Sequence, residues 1–227
     1  SLRVHGMGDV TANITLVRLA DGAPVMSWTL PAADNQVVTV GWGGLTQANA
    51  AEQNGRYAFR LSLTTAQGQI DTNVAGGDPD RDAFDLYGYI FPVRGAHNFG
   101  QSQARFGAGR NGHTHQGQDV MAKCGVPLFA ARGGIVRESR SHPAAGNFVV
   151  IDADFTDVDN AYMHLAQPSP FKKGDQVFTG QQIGVVGRTG DASACHLHFE
   201  QWTGPGWYKG GKPFDPLPDL LAWDAIS

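Results

Sequence analysis

Glycine and proline interrupt this chain before any long helix can grow. There are 30 Gly and 12 Pro among 227 residues, about one position in five. In a helix interior Gly costs about 1 kcal/mol relative to Ala, and Pro about 3 kcal/mol. The segments between them therefore favour short strands joined by turns. Hydrophobic residues at 41% suffice for a core, and 17% charged residues are too few for a disordered, self-repelling chain. A formal charge of −4 offers no basic face for nucleic acid and no polybasic membrane anchor. No run reaches the ~18 apolar residues that a transmembrane helix needs. The chain begins at Ser1 without a visible signal peptide, so an export segment is expected upstream.

Residues 1–72 read as a β domain. Across 56–63, Tyr57, Phe59, Leu61 and Leu63 alternate with Arg56, Ala58, Arg60 and Ser62. That is the period of two of a strand with one buried face. Residues 10–19, 23–30 and 36–42 are further strand candidates, separated by turn residues such as Asp21-Gly22 and Ala33-Asp34-Asn35. Strands at this spacing suggest a small antiparallel sandwich. Residues 73–85, rich in Gly and Asp, read as a linker. Within it Asp78, Asp80 and Asp82 have calcium-loop spacing but lack the following Gly and the distal Glu, which leaves a solvated acidic segment.

Residues 86–227 form the second expected domain. Strands are expected over 87–92, 117–122, 134–138, 148–152, 161–165, 182–186 and 196–201, with one late helix at 218–223. No helical periodicity supports a parallel α/β arrangement, so the fold class is all-β and mainly antiparallel. The oligomeric state is expected to be monomeric.

Seven of the eight histidines lie at or after His97. On a strand, His196 and His198 point to one face with Cα atoms about 6.6 Å apart, with Leu197 and Phe199 buried behind. Both rings can then reach a metal, or one can ligate while the other handles protons. A straight strand would hold His115 and Asp119 about 13 Å apart. Gly117 argues against a helix, so a turn into the following strand is expected to bring both onto one cation. Two His and a carboxylate leave an open fourth position, the composition of a catalytic zinc site. His164 sits between apolar neighbours on another strand. His5, His97, His113 and His142 have no partner pattern and are read as structural.

Together, "GHTHQGQDVMA" (112–122), "YMHL" (162–165), "GQQIGVVGRTG" (180–190) and "HLHFE" (196–200) resemble the lysostaphin/LytM-type zinc peptidases of family M23. The wider likeness runs over about 91–223. It implies a compact antiparallel β domain with a cleft along the sheet. It implies one Zn2+ held by His115, Asp119 and His198, with His164 and His196 as unligated catalytic histidines. It also implies hydrolysis of peptide bonds in bacterial peptidoglycan, in the stem peptide or cross-bridge, by metal-activated water. Tyr162 and Trp202 are read as lining a substrate groove, and Trp202, Trp207 and Tyr208 either line it or shield the core edge. In the first domain, "DGAPV" before Trp28, "VGWGG" and "NGRYAFRL" resemble immunoglobulin-like domains of hook-cap proteins and secreted enzymes.

The family often has Gly-Pro before its His-Leu-His. Here Ala194-Cys195 stands in that place. Cys124 and Cys195 each lie within five residues of an implied ligand, and a disulfide between them is expected, in keeping with an exported protein of the periplasm, envelope or exterior. Three other readings compete. One is an inactive relative acting as activator or wall-binding module, one a cysteine peptidase using Cys124 or Cys195, and one a pure sugar-binding module.

Overall fold

The structure is a computed structural model describing residues 2–3, 8–48, 52–71, 82–110 and 112–226. His5, Asp78 and Asp80 lie outside the described residues. The chain divides into two compact units, Ser1–Gly88 and Tyr89–Ser227.

The first unit is built on a five-stranded antiparallel sheet. Its order is Pro24–Ala32, Val10–Arg18, Gly55–Thr65, with Gly68–Asp71 and Ala83–Leu86 both pairing along the far edge of Gly55–Thr65. Val10, Ala12, Ile14 and Leu16 alternate inward along their strand and are buried, as a half-buried strand requires. Asp21 Oδ1 accepts the Ala23 N–H at 3.0 Å, and Gly22 takes φ +71°, closing the first hairpin. Tyr57 is fully buried among Trp42 and Phe84. Two expectations change. Of the strand expected over 36–42, only Val37–Val38 is β, in a two-residue ladder with Leu2–Arg3. The expected linker ends in a true strand, because Ala83–Leu86 satisfies the outer edge of Gly55–Ala58.

The second unit is also antiparallel. Its eight-stranded sheet runs Gln176–Val177, Gly134–His142, Gly146–Ala153, Val158–Leu165, His196–Thr203, Gln118–Ala122, His97–Asn98, with Pro213–Phe214 added to His196–Thr203. A separate ladder pairs Pro127–Phe129 with Gln182–Val185. The strand expected over 87–92 does not form: Ile90 instead donates its N–H to Ala131 O, and Val93 makes an isolated bridge to Leu128.

The pleat sorts this sheet into two faces. Val120, Val149, Ile151, Tyr162, Leu197 and Phe199 point to one side. There they pack with Leu128 and Ile183 of the small ladder and with Leu220 and Trp223 of the helix Leu217–Asp224. Each fully buried side chain of this kind contributes about 1.5–3 kcal/mol. The intervening residues point to the other side, where Phe148, Val150, Ala161 and Met163 form a smaller cluster. Among the described residues no α-helix covers that second face, and an open cleft of about 1230 Å³ runs along it.

Candidate active site

Strand register places the central groups. His198 stands opposite Asp119 on one neighbouring strand and opposite Met163 on the other. Directly opposed residues bring Cβ atoms to about 4.5–5.5 Å, so His198 and Asp119 meet on the cleft face. His115 precedes the strand Gln118–Ala122, and the turn through Gln116-Gly117 folds it back over Asp119. Gly117 is required there. A Cβ at this position would overlap the Phe199 carbonyl oxygen and stand 3.0 Å from His198 Nε2.

The three side chains converge closely. His115 Nε2 lies 3.0 Å from Asp119 Oδ1 and 2.9 Å from His198 Nδ1, and His198 Nδ1 lies 2.9 Å from Asp119 Oδ1. The outer nitrogens decide what faces inward. His115 Nδ1 is 2.8 Å from the Arg105 carbonyl oxygen, which can only accept, so Nδ1 carries the proton. His198 Nε2 is 3.0 Å from Glu200 Oε1 and donates to that carboxylate. With those protons placed outward, both inward nitrogens of the neutral rings present lone pairs, and Asp119 Oδ1 adds a third. Three lone pairs within 3.0 Å repel one another unless a cation or a proton lies among them. The donor set, two imidazoles and a carboxylate, is that of a catalytic zinc site. Ligand–ligand edges of about 3.3 Å follow from tetrahedral zinc bonds near 2.0–2.1 Å, so the observed triangle needs only slight expansion to fit that ion.

The electrostatics agree. Burial opposes ionisation of Asp119, but its hydrogen bonds with His115 and His198 outweigh that and hold its pKa well below the usual carboxylate range. Burial alone would lower His198. Its bonds to Asp119 and Glu200 win, and its pKa rises to about 9. The site thus favours positive charge.

His164 and His196 stand beside the triangle with ring centroids 4.7 Å apart. Each is held by its Nδ1–H, to Thr189 O at 2.8 Å for His164 and to Ala194 O at 2.9 Å for His196. Both Nε2 atoms are therefore free to accept a proton. His196 Nε2 lies 3.6 Å from Asp119 Oδ1. Burial, reinforced by the neighbouring imidazole, lowers His164 to about 4, and burial lowers His196 as well. The two rings are neutral at pH 7.

His164 reaches the cleft by a backbone inversion. It has φ +63°, its N–H bonds to Ala145 O, and the ladder to His196–Thr203 ends one residue earlier. Regular alternation would put it on the core side with Tyr162. The left-handed residue instead places His164 beside Met163 on the cleft, while Leu165 joins Tyr162 in the core. This corrects the groove assignment. Tyr162 is fully buried, with its hydroxyl accepting the Ala131 N–H at 2.8 Å. Trp202 shares the face of His198 but is covered by Tyr208, at 4.6 Å between centroids, and is 3% exposed. Trp207 and Tyr208 line the cleft in their place.

His97, read as structural, donates to Gly95 O and packs on Phe91. His113 and His142, read the same way, line the cleft rim. Three contributors were not singled out in the sequence. Arg110 lies 3.6 Å from Asp119 Oδ2 and donates to Gln103 O. Thr189 fixes His164 and also bonds Leu165 O and Asn147 N. Glu200 follows His196 and His198 at the same spacing of two, the one signal that would have found it. Cys124 and Cys195 form the expected disulfide. With both sulfurs bonded, neither is a nucleophile, which removes the cysteine-peptidase reading.

The second unit thus pairs an antiparallel β domain with a His-Asp-His cluster able to hold a metal ion and two further histidines beside it. Residues 113–216, within the second unit, match Peptidase family M23. Peptidoglycan DD-endopeptidase ShyA of Vibrio cholerae is 41% identical over 86 residues, 38% of this chain and 20% of that protein. Lysostaphin of Staphylococcus simulans is 34% identical over 113 residues, 49% of this chain and 22% of that protein. A solved structure of lysostaphin from Staphylococcus simulans superposes at a TM-score of 0.51 with 27% identity, covering 61% of this chain and 55% of that one. The chain spans about a fifth of the length of the Vibrio cholerae endopeptidases it matches.

Proposed function

We propose that the second unit is a zinc-dependent endopeptidase that hydrolyses peptide bonds in bacterial peptidoglycan, in the stem peptide or cross-bridge. The observation that carries this is the convergence of His115 Nε2, Asp119 Oδ1 and His198 Nδ1 within 3.0 Å of one another, the donor set of a zinc site. The similarity to peptidoglycan DD-endopeptidases of Vibrio cholerae supports the substrate.

In this reading His115, Asp119 and His198 hold one Zn2+. Zinc so held supplies a Lewis acid that polarises a peptide carbonyl and lowers the pKa of water toward about 7. His196 and His164 do the proton work. Each is neutral with Nε2 free, so each can take a proton from the attacking water and return one to the leaving amine. His196 is the nearer to the ligands, through its 3.6 Å approach to Asp119 Oδ1. The cleft of about 1230 Å³ exceeds the ~300–1,000 Å³ usual for a small-molecule site and suits an extended polymer. The disulfide supports an exported location in the periplasm, envelope or exterior. Among the described residues no helix is long and apolar enough to cross a membrane.

The test is mass spectrometry of fragments released from purified peptidoglycan, with and without chelator, beside zinc content by elemental analysis. Chelator-sensitive release of peptides with about one zinc per chain is expected. Zinc without release would favour an inactive domain acting as activator or wall-binding module. Release that survives full removal of metal would refute the proposal.

A further inference from the structure

Glu200 faces the cleft side of its strand, yet no step above uses it. Its carboxylate is 4% exposed and takes three N–H groups. Oε1 accepts from His198 Nε2 at 3.0 Å, while Oε2 accepts from the indoles of Trp202 at 2.7 Å and Trp207 at 3.0 Å. Among the described residues its ion-pair partner is His198, not a Lys or Arg. A buried carboxylate with no permanent cation beside it is costly, so its fully satisfied geometry calls for a role. The two indoles clamp one oxygen, which stops the carboxylate rotating and keeps the other oxygen on His198. The backbone of Gly117 closes over the pair, since a Cβ there would stand 3.0 Å from both His198 Nε2 and Glu200 Cγ. His198 can neither swing away nor exchange the roles of its two nitrogens.

We infer that Glu200 is a positioning residue, which fixes the Nε2–H tautomer and the orientation of His198 so that Nδ1 presents its lone pair to the cation. Through the N–H of Trp207 it also ties that setting to the aromatic wall of the cleft. This rests on the proposal that His115, Asp119 and His198 hold zinc. It explains why two tryptophans direct their N–H groups away from solvent onto one oxygen. It also explains why His198 ligates through Nδ1 while His115 ligates through Nε2: the fixed partner of each ring lies on the opposite nitrogen.

The experiment titrates the whole chain with zinc against a chromophoric chelator, for the natural sequence and for Glu200→Gln. The amide keeps the shape but brings an NH2 group against either the indole N–H groups or His198 Nε2–H. Zinc affinity is expected to fall by about 10–100-fold. Nitrogen-15 NMR of the zinc-loaded natural chain, which needs no variant to fold, is expected to show the His198 proton on Nε2. If the natural chain binds zinc and Glu200→Gln binds it within about twofold, or if the His198 proton sits on Nδ1, the inference falls and the zinc reading stands. If the natural chain takes up no zinc, the zinc reading falls, and this inference with it.

Discussion

His164 and His196 form a pair of buried, neutral imidazoles, 4.7 Å apart between centroids, each with Nδ1 spent on a backbone carbonyl. Neither contributes an atom to the ligand triangle. Replacing either with Ala should therefore leave zinc bound and lower turnover by about 10²-fold or more, the usual contribution of a positioned acid–base group. His115→Ala and Asp119→Ala should lose metal and activity together. Zinc content measured beside peptide release separates the two pairs, and full activity in zinc-loaded His164→Ala would contradict the proposed chemistry.

The same burial makes stability depend on pH. The metal-free native chain protonates His164 at about 4, whereas an unfolded chain does so near 6.5. Between those values the unfolded state binds more protons, so stability falls as pH drops from about 6.5 to about 4, by up to about 3 kcal/mol. His196, also lowered, adds to the loss. His198 has the opposite sign. Its raised pKa, about 9, stabilises the metal-free native state as pH falls from 9 to 6.5, and that contribution is complete below 6.5. Urea titrations of chelator-treated protein at pH 7, 5.5 and 4.5 should show the loss, and His164→Gln should show less of it. Equal slopes in the two proteins would contradict the assignment.

The disulfide joins the turn after Gln118–Ala122 to the residue before His196–Thr203. Those strands are adjacent and carry Asp119 and His198. Closing a loop across a sequence separation of 71 removes unfolded-state entropy worth roughly 4 kcal/mol in the chain-entropy model. The double change Cys124→Ser, Cys195→Ser should lower the unfolding free energy by about 2–4 kcal/mol, read by calorimetry. Non-reducing peptide mapping should recover the linked pair, and two free thiols would refute the bond.

Alternation made the central face of the site readable. His196 and His198 follow it, with Leu197 and Phe199 behind, and Glu200 obeys the same rule. Alternation failed at His164, where a positive φ in a non-glycine residue flips the strand, and no residue preference announces that. It also misled at Trp202, which points to the cleft face but lies under Tyr208, an aromatic from a loop six residues on. In the first unit the turns were legible from Asp21-Gly22. The pairing of Ala83–Leu86 with Gly55–Ala58 was not, because a long-range edge contact leaves no local pattern in an Asp-rich segment.

Those two aromatic corrections separate stability from substrate binding. Tyr208 is 61% exposed on the cleft rim, its hydroxyl donating to Gln116 Oε1 at 2.7 Å. Tyr162 lies wholly in the core. Tyr208→Ala removes a contact surface of the kind worth about 0.5–1.5 kcal/mol. It should raise KM on a peptidoglycan fragment by about 2–10-fold and leave zinc affinity unchanged. Tyr162→Phe strands the buried Ala131 N–H that the hydroxyl satisfies, at a cost of about 1–3 kcal/mol, and should leave KM unchanged. Steady-state kinetics and thermal melts on the two variants decide it. A raised KM in Tyr162→Phe at full stability would return Tyr162 to the groove and overturn the face assignment made through His164.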